Sequence, residues 1–265
     1  MQFTKMHGLG NDYLYVYAAE DPVDPAGLSI RLSERHFGAG SDGMIWILPS
    51  AVADFKMRIF NADGSEAKMC GNGIRCVGKY VYDKGYTDKT VLKVETLSGI
   101  KTLTLTVENG KVRSVRVDMG RASVEAPRTV TALGQTVRLY PASMGNPHAV
   151  IFTDNAADAP LTTLGAALER HEAFPGGVNV EFVQVLAPDR LRMRVWERGS
   201  GVTMACGTGA CASVAAAVTA GYCPFDTDVA VELDGGTLHI SVSREYQVTM
   251  DGPAVMVYDG ETVDE

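Results

Sequence analysis

Short runs of alternating or merged apolar positions recur along the whole chain, each closed by Gly, Pro, Asn or Asp. In the first half they are Leu14–Tyr17, Met44–Leu48, Phe55–Phe60, Val91–Glu95, Lys101–Val107 and Val112–Val117. In the second half they are Ala149–Phe152, Glu181–Val185, Arg190–Trp196, Val229–Leu233, Thr237–Ser241 and Gln247–Met250. Their lengths predict β-strands, and their density predicts sheets or barrels rather than βαβ units. Two stretches have helical spacing instead. One starts after Cys70 and runs to Lys84, with Ile74, Val77 and Val81 on one face and Gly85 as its stop. The other starts after Cys206, runs through Cys211–Val218 to Ala220 and stops at Gly221. Its Ala-rich composition predicts a buried central helix. Each of these two cysteines therefore falls at a helix N-terminus.

The halves also repeat one another at the spacing that separates Cys70 from Cys206. Met57-Arg58-Ile59-Phe60 matches Met193-Arg194-Val195-Trp196, and Cys70-Gly71-Asn72-Gly73 matches Cys206-Gly207-Thr208-Gly209. The segment from Gly40 lies opposite the segment from Gly176, and Gly10-Asn11 falls one residue short of register on Gly145-Asn146. Matches in one order at one spacing predict two domains of the same topology. A site between them would draw one equivalent element from each. The boundary is expected after residue 118, at the head of Met119–Gly134, where Pro127 and Gly134 break the pattern, so that the second domain covers 119–253.

Composition narrows the function classes. The 265 residues are 46% hydrophobic and 21% charged, a globular balance. No apolar run approaches the roughly 18–20 residues that span a bilayer, and the first residues lack the apolar core of a signal peptide. A cytoplasmic protein is expected. The net charge of −8 argues against nucleic acid or an anionic membrane as partner. Five cysteines, with no Cys-x-x-Cys pair, suit neither a disulfide scaffold nor a zinc or iron–sulfur site.

A thiol at a helix N-terminus feels the positive end of the macrodipole, which is expected to lower its pKa. The same N-termini offer free N–H groups to a carboxylate, and Gly-x-Gly lets the backbone approach a ligand closely. One carboxylate held by the amides of Gly71, Asn72, Gly207 and Thr208 would place its α-carbon between two sulfurs. One, as thiolate, removes the α-proton; the other, as thiol, protonates the opposite face, and neither a metal nor another cofactor is demanded. Cys76, Cys211 and Cys223 lack this equivalence and read as packing residues. A Cys70–Cys206 disulfide would be an inactivating event on oxidation. Gly71-x-Gly73 lacks the third glycine and the acidic partner of a dinucleotide fingerprint, and neither a phosphate-binding P-loop nor a Gly-x-Ser-x-Gly elbow occurs.

The long segments Asn61–Cys76 and Glu197–Ala210 closely resemble the two signatures of the diaminopimelate epimerase family. Gly8–Asp12, Gly145–His148 and Gly177–Phe182 are similar to further family segments, so the resemblance spans nearly the whole chain. It implies an α+β fold of two pseudo-symmetric domains, each a β-barrel-like sheet wrapped around a central helix, with the active site in the cleft between them. A C-terminal strand near 254–265 would return to the first domain, residues 1–118. The implied reaction is cofactor-independent interconversion of LL- and meso-diaminopimelate, a step toward lysine and peptidoglycan. Cys70 and Cys206 fall on the family's catalytic pair, with Glu197 and His148 assisting proton transfer.

Asn11, Asn61, Asn146, Asn179 and Arg198 match substrate-contacting positions. Arg198 can pair with a distal carboxylate in a forked geometry, and a carboxylate at Glu197, equivalent to Asn61, suits an ammonium group. The expected partner is the small amino-acid substrate, with homodimerisation left open. Two positions depart from the pattern: Gly43, where some members carry glutamine, and Lys68, a cation two residues before Cys70. Proline or hydroxyproline racemases of the same fold are the nearest rivals, but they tend to be longer and to carry His where Asn72 stands. An isomerase lacking the cysteine pair and a non-catalytic amino-acid-binding module are the other rivals; the presence of both thiols speaks against each.

Overall fold

The computed structural model describes residues 1–263, so the last two positions of the expected segment 254–265 lie outside the described residues. The chain divides into two units: Met1–Asp118 with the segment from Gly252 onward, and Met119–Asp251.

In the first unit β1 (Gln2–Gly8) and β2 (Asn11–Tyr17) form an antiparallel hairpin. Its turn, Leu9-Gly10, has both φ angles positive (58° and 85°), which matches the twist of the flanking strands. Helix α1 (Pro25–Ser33) carries the chain to β3 (Gly43–Leu48), parallel to β2. β4 (Phe55–Asn61) runs antiparallel to β3 and pairs with the short β5 (Glu66–Ala67). Helix α2 (Gly71–Asp83) then leads to β6 (Val91–Thr96), parallel to β4, and to the antiparallel strands β7 (Gly99–Glu108) and β8 (Lys111–Arg121).

The second unit repeats this pairing. After β9 (Ser123–Val124) and β10 (Arg128–Ala132), β11 (Gln135–Ser143) runs antiparallel to β12 (Pro147–Phe152). A π-helical turn, Leu161–Gly165, runs into α3 (Ala166–Glu169) and on to β13 (Asn179–Ala187), parallel to β12. β14 (Arg190–Glu197) and the short β15 (Gly201–Val202) follow, and α4 (Gly207–Thr219) leads to β16 (Val229–Leu233), parallel to β14. β17 (Gly236–Val242) and β18 (Gln247–Gly252) complete the series, and β19 (Val255–Glu261) pairs antiparallel with β1.

Each unit therefore contains two helical crossovers between parallel strands, which corrects the expectation of strands without βαβ units. Strand density hid α1, although its start is chemically marked. Asp24 Oδ1 accepts the Gly27 N–H at 2.9 Å and Pro25 stands at the first helical position. Gly134, expected to break the strand pattern, closes the β10–β11 hairpin with Leu133 (φ 74° and 52°).

Helix α4 is buried from Gly209 through Val218 and contacts β9, β11 to β14, β16 and β17. An Ala-rich helix apolar on all sides lets a mixed sheet wrap it closely, because small side chains keep the strands near the helix axis. Helix α2 contacts β1, β2, β7 and β19. Both helices stop at a left-handed glycine, Gly85 (φ 79°) and Gly221 (φ 78°). Tyr86 N–H reaches Val81 O and Tyr222 N–H reaches Ala217 O, both at 2.9 Å, which satisfies carbonyls left over at the helix end. Among the described residues no helix is long and apolar enough to cross a membrane.

Candidate active site

In the first unit Cys70 caps α2 from an extended backbone (φ −132°, ψ 118°). Its Sγ accepts the Gly73 N–H at 3.3 Å, and its thiol donates to Asn11 Oδ1 at 3.3 Å. Asn11 is oriented in turn by Asp42, whose Oδ2 accepts from Asn11 Nδ2 at 2.8 Å and from the Asp12 N–H at 3.1 Å. Burial raises the Asp42 carboxyl above its ordinary range against those two bonds. It also pushes the neighbouring Tyr13 phenol well up, with Cys70 adding to the effect.

The N–H groups of Gly71 and Asn72 precede the first intrahelical acceptor. Asn72 is buried, and its Oδ1 accepts from Arg75 Nη2 at 3.1 Å. Arg75, wholly buried, also donates to Gly71 O and Pro253 O, each at 3.2 Å, and so ties the helix start to the chain entering β19. Asn61 ends β4 in a turn where its Nδ2 donates to Ser65 Oγ at 3.0 Å, beside Ala62, whose N–H bonds Asp42 O. Gly43 is fixed by space: at φ 156°, a Cβ there would lie 2.1 Å from Phe60 O. Glutamine cannot stand at that position on this backbone. Lys68 is exposed.

In the second unit Cys206 caps α4 in the same way (φ −113°, ψ 108°), its Sγ accepting the Gly209 N–H at 3.3 Å with Thr208 Oγ1 at 3.6 Å. Asn146 donates through Nδ2 to Thr208 Oγ1 at 3.3 Å, and its Oδ1 faces His148 Nε2 at 3.2 Å. His148 Nδ1 meets Glu181 Oε1 at 2.6 Å, both side chains being fully buried. Glu197 ends β14 and accepts a short hydrogen bond from the Thr203 hydroxyl.

The following turn is held firmly. Arg198 N–H donates to Asn179 Oδ1 at 2.9 Å and its Nη1 to Gly176 O at 3.1 Å. Asn179 donates through Nδ2 to Pro147 O at 3.1 Å. Glu169 accepts the Gly199 N–H at 2.9 Å and the Trp196 indole N–H at 2.7 Å, and the Trp196 bond most of all holds its carboxyl below the ordinary range.

Electrostatics departs from expectation at Cys206. Burial pushes this thiol well above its ordinary value, and the carboxylates of Glu197 and Glu181 push the same way. The Gly209 N–H and Thr208 hydroxyl oppose them without prevailing. The helix N-terminus does not lower this pKa, because a dry pocket with two nearby carboxylates disfavours the thiolate more than the dipole favours it. Burial raises Glu197 as well. Cys76, Cys211 and Cys223 are buried, and burial lifts Cys76 and Cys223 to about 11.

Within the first unit, Asn11, Cys70, Gly71 and Asn72 come together, with Asn61 one turn away. Within the second, Asn146, His148, Glu197, Cys206, Gly207 and Thr208 gather, and Asn179 and Arg198 join through Pro147 and the turn after Glu197. The carboxamide of Asn179 is engaged by two backbone groups, so its main work is to hold that turn. Glu181, Asp42, Arg75 and Glu169 escaped sequence reasoning. Glu181 did leave a signal: a carboxylate between Val180 and Phe182 inside an apolar strand is rare unless partnered. Among the described residues no group of three or more His, Cys, Asp or Glu side chains is placed to hold a metal ion.

The sequence model of the family described as diaminopimelate epimerase matches residues 3–125 and 140–257. A diaminopimelate epimerase from Methanococcus maripaludis (strain C5) is 50% identical, over 98% of this chain and 99% of that protein. One from Acetivibrio thermocellus is also 50% identical, over 98% of each. Among solved structures, a probable proline racemase from Agrobacterium radiobacter K84 superposes with a TM-score of 0.75 at 18% identity, covering 100% of this chain and 93% of that one. A predicted epimerase from Pseudomonas aeruginosa superposes at 0.75 with 16% identity, covering 100% and 99%. At those identities the likeness is one of fold.

Proposed function

The chain belongs to the diaminopimelate epimerase family and is an isomerase, and from that premise we propose that it interconverts LL- and meso-diaminopimelate by proton transfer between Cys70 and Cys206. The supporting observation is that both sulfurs cap helices in one geometry, each accepting the N–H three residues on at 3.3 Å, at repeat-equivalent positions.

In this reading both helix starts act on one substrate molecule. The substrate's reacting carboxylate takes the N–H groups of Gly71, Asn72, Gly207 and Thr208. One sulfur, as thiolate, takes the α-proton, and the C–H electron pair spreads into the carboxylate, where those donors stabilise it as it forms. The other sulfur, as thiol, gives its proton to the opposite face and becomes the thiolate. One proton is taken and one given, so the sulfurs end with exchanged states, and the reverse reaction exchanges them back. Glu197 and His148 assist the Cys206 transfer, Arg198 takes the distal carboxylate, and Asn11 orients the Cys70 thiol. The product feeds lysine and peptidoglycan precursors in the cytoplasm.

Incubation of the purified chain with LL-diaminopimelate in D2O is expected to place deuterium on the α-carbon with no added cofactor. A requirement for pyridoxal phosphate or a metal overturns the reading. Cys70→Ala and Cys206→Ala are each expected to lower epimerisation by at least about 10³-fold while the melting temperature stays near that of the parent. Full activity in either variant refutes the two-thiol scheme.

A further inference from the structure

The two units differ chemically where their repeat would make them alike. His148 precedes Ala149, which pairs with Val180, as Tyr13 precedes Leu14, which pairs with Met44. One residue further along each partner strand, Glu181 stands where the first unit has Ile45. The match is spatial as well as sequential. A Cβ on Gly73 would meet Ile45 Cδ1 at 2.6 Å, and one on the equivalent Gly209 would meet Glu181 Oε1 at 2.8 Å. Under the start of each helix, then, a methyl group in one unit is replaced by a carboxylate in the other. Glu197, too, stands where the first unit has Asn61.

An aliphatic side chain meets the packing needs of this spot, as Ile45 shows. A buried carboxylate there is costly unless its charge is answered. Only one Glu181 oxygen is answered: Oε1 meets His148 Nδ1 at 2.6 Å, while Oε2 is buried with no hydrogen-bond partner among the described residues. The charge is thus retained in one unit, beside its cysteine, at a site where fold alone does not need it.

We propose that Glu181 is the positioning residue of the second unit, holding the His148 imidazole with Nε2 turned to Asn146, whose amide reaches the Thr208 hydroxyl beside Cys206, and setting its own carboxylate next to the Cys206 sulfur. This rests on the two-cysteine reading. It adds that the two sulfurs work in unlike surroundings, Cys206 with a buried carboxylate under its helix start and Cys70 with the aliphatic Ile45. The groups that face Cys206 are Glu181 from β13, Glu197 from the end of β14, and the Thr208 hydroxyl and Gly209 N–H of α4, with His148 from β12 standing behind them against Glu181 and Asn146. Replacing Glu181 by a neutral residue removes one of two negative charges that disfavour the thiolate.

The test compares Glu181→Gln, Glu181→Ile, Glu181→Asp, His148→Gln and the double variant E181Q/H148Q in the full chain. It reads kcat, KM and the pH dependence of Cys206 alkylation by iodoacetamide, resolved by peptide mass spectrometry. Glu181→Gln is expected to lower kcat at least about 30-fold with KM within about threefold, the scale of a lost proton-transfer partner. Its Cys206 alkylation midpoint should fall by at least about half a pH unit. The double variant should be no slower than His148→Gln alone, because the two residues act in series.

Glu181→Ile, which copies the first unit, gives the same reading should the Gln variant fail to fold. Glu181→Asp keeps the charge but withdraws it from Nδ1, and is expected to hold the midpoint and lose kcat about tenfold. An unmoved midpoint in the neutral variants, parental kcat in any Glu181 variant, or multiplying losses in the double variant overturns the proposal. Those results leave the cysteines essential, whereas failure of the underlying reading appears as activity in Cys206→Ala.

Discussion

Single atoms decide several positions in this chain. Gly43 faces Phe60 O across the β3–β4 ladder with no room for a Cβ. Gly43→Gln therefore has to push apart a pair of hydrogen-bonded strands, and the expected cost is above about 4 kcal/mol, read as loss of a cooperative thermal transition. Glu169 acts more gently. Both its oxygens accept from N–H donors, so Glu169→Gln turns an amide donor against one of them at an expected cost of about 1–3 kcal/mol. Because that bond fixes the turn carrying Arg198, the same variant should raise KM for diaminopimelate at least about fivefold and change kcat less. Steady-state kinetics checks this: an unchanged KM would detach Glu169 from the site. Asp42, Arg75 and Glu181 share a lesson. Each has a partner far along the chain, Asn11 for Asp42, Pro253 for Arg75 and His148 for Glu181, and no local pattern announces such partners.

Helices α2 and α4 were readable because their signals are local: an N-cap, helical periodicity and a stopping glycine within one segment. Helix α1 carried the same kind of signal in Asp24 and Pro25 but lay among strand-like runs that outweighed it. The parallel pairings β2–β3 and β4–β6 were not readable, since which strand lies beside which depends on where the intervening helix packs. Helix α4 makes a strong demand on its residues. Ala210, Ala212, Ala215, Ala216 and Ala217 are all fully buried, and strands surround them. Ala216→Leu adds volume where none is free and is expected to cost about 1–3 kcal/mol or more by urea denaturation. A neutral outcome would mean that the sheet around α4 is looser than its burial implies.

Across the molecule, buried thiols couple stability to alkaline pH. The folded-state values of Cys76 and Cys223 are raised to about 11 from 9.0, and Cys206 is raised in the same direction. A raised value means the contribution is fully present below pH 9.0. Between 9.0 and the folded value the unfolded chain releases the proton while the folded chain keeps it, so stability falls as pH rises. Cys76 alone contributes on the order of 2–3 kcal/mol to that fall. Thermal melts from pH 8 to 11 should show a declining midpoint, less steep in Cys76→Ala than in the parent. Parallel slopes would show that the Cys76 thiol ionises alike in both states.

Chain order was enough to specify the elements that carry the reaction in the proposed reading. The internal repeat, the two capping cysteines and the Gly-x-Gly after each are short-range facts, and short-range facts fix helix starts and turn shapes. The environment of those elements came from packing alone. Packing put Glu181 beneath one helix and left Ile45 beneath the other. It made Cys206 a dry thiol flanked by carboxylates, and it reserved Gly43 for a strand contact. The division arises because charge and desolvation act through space: what a sulfur or a carboxylate feels is set by whatever lies within a few ångströms, and strand pairing rather than chain order chooses those neighbours.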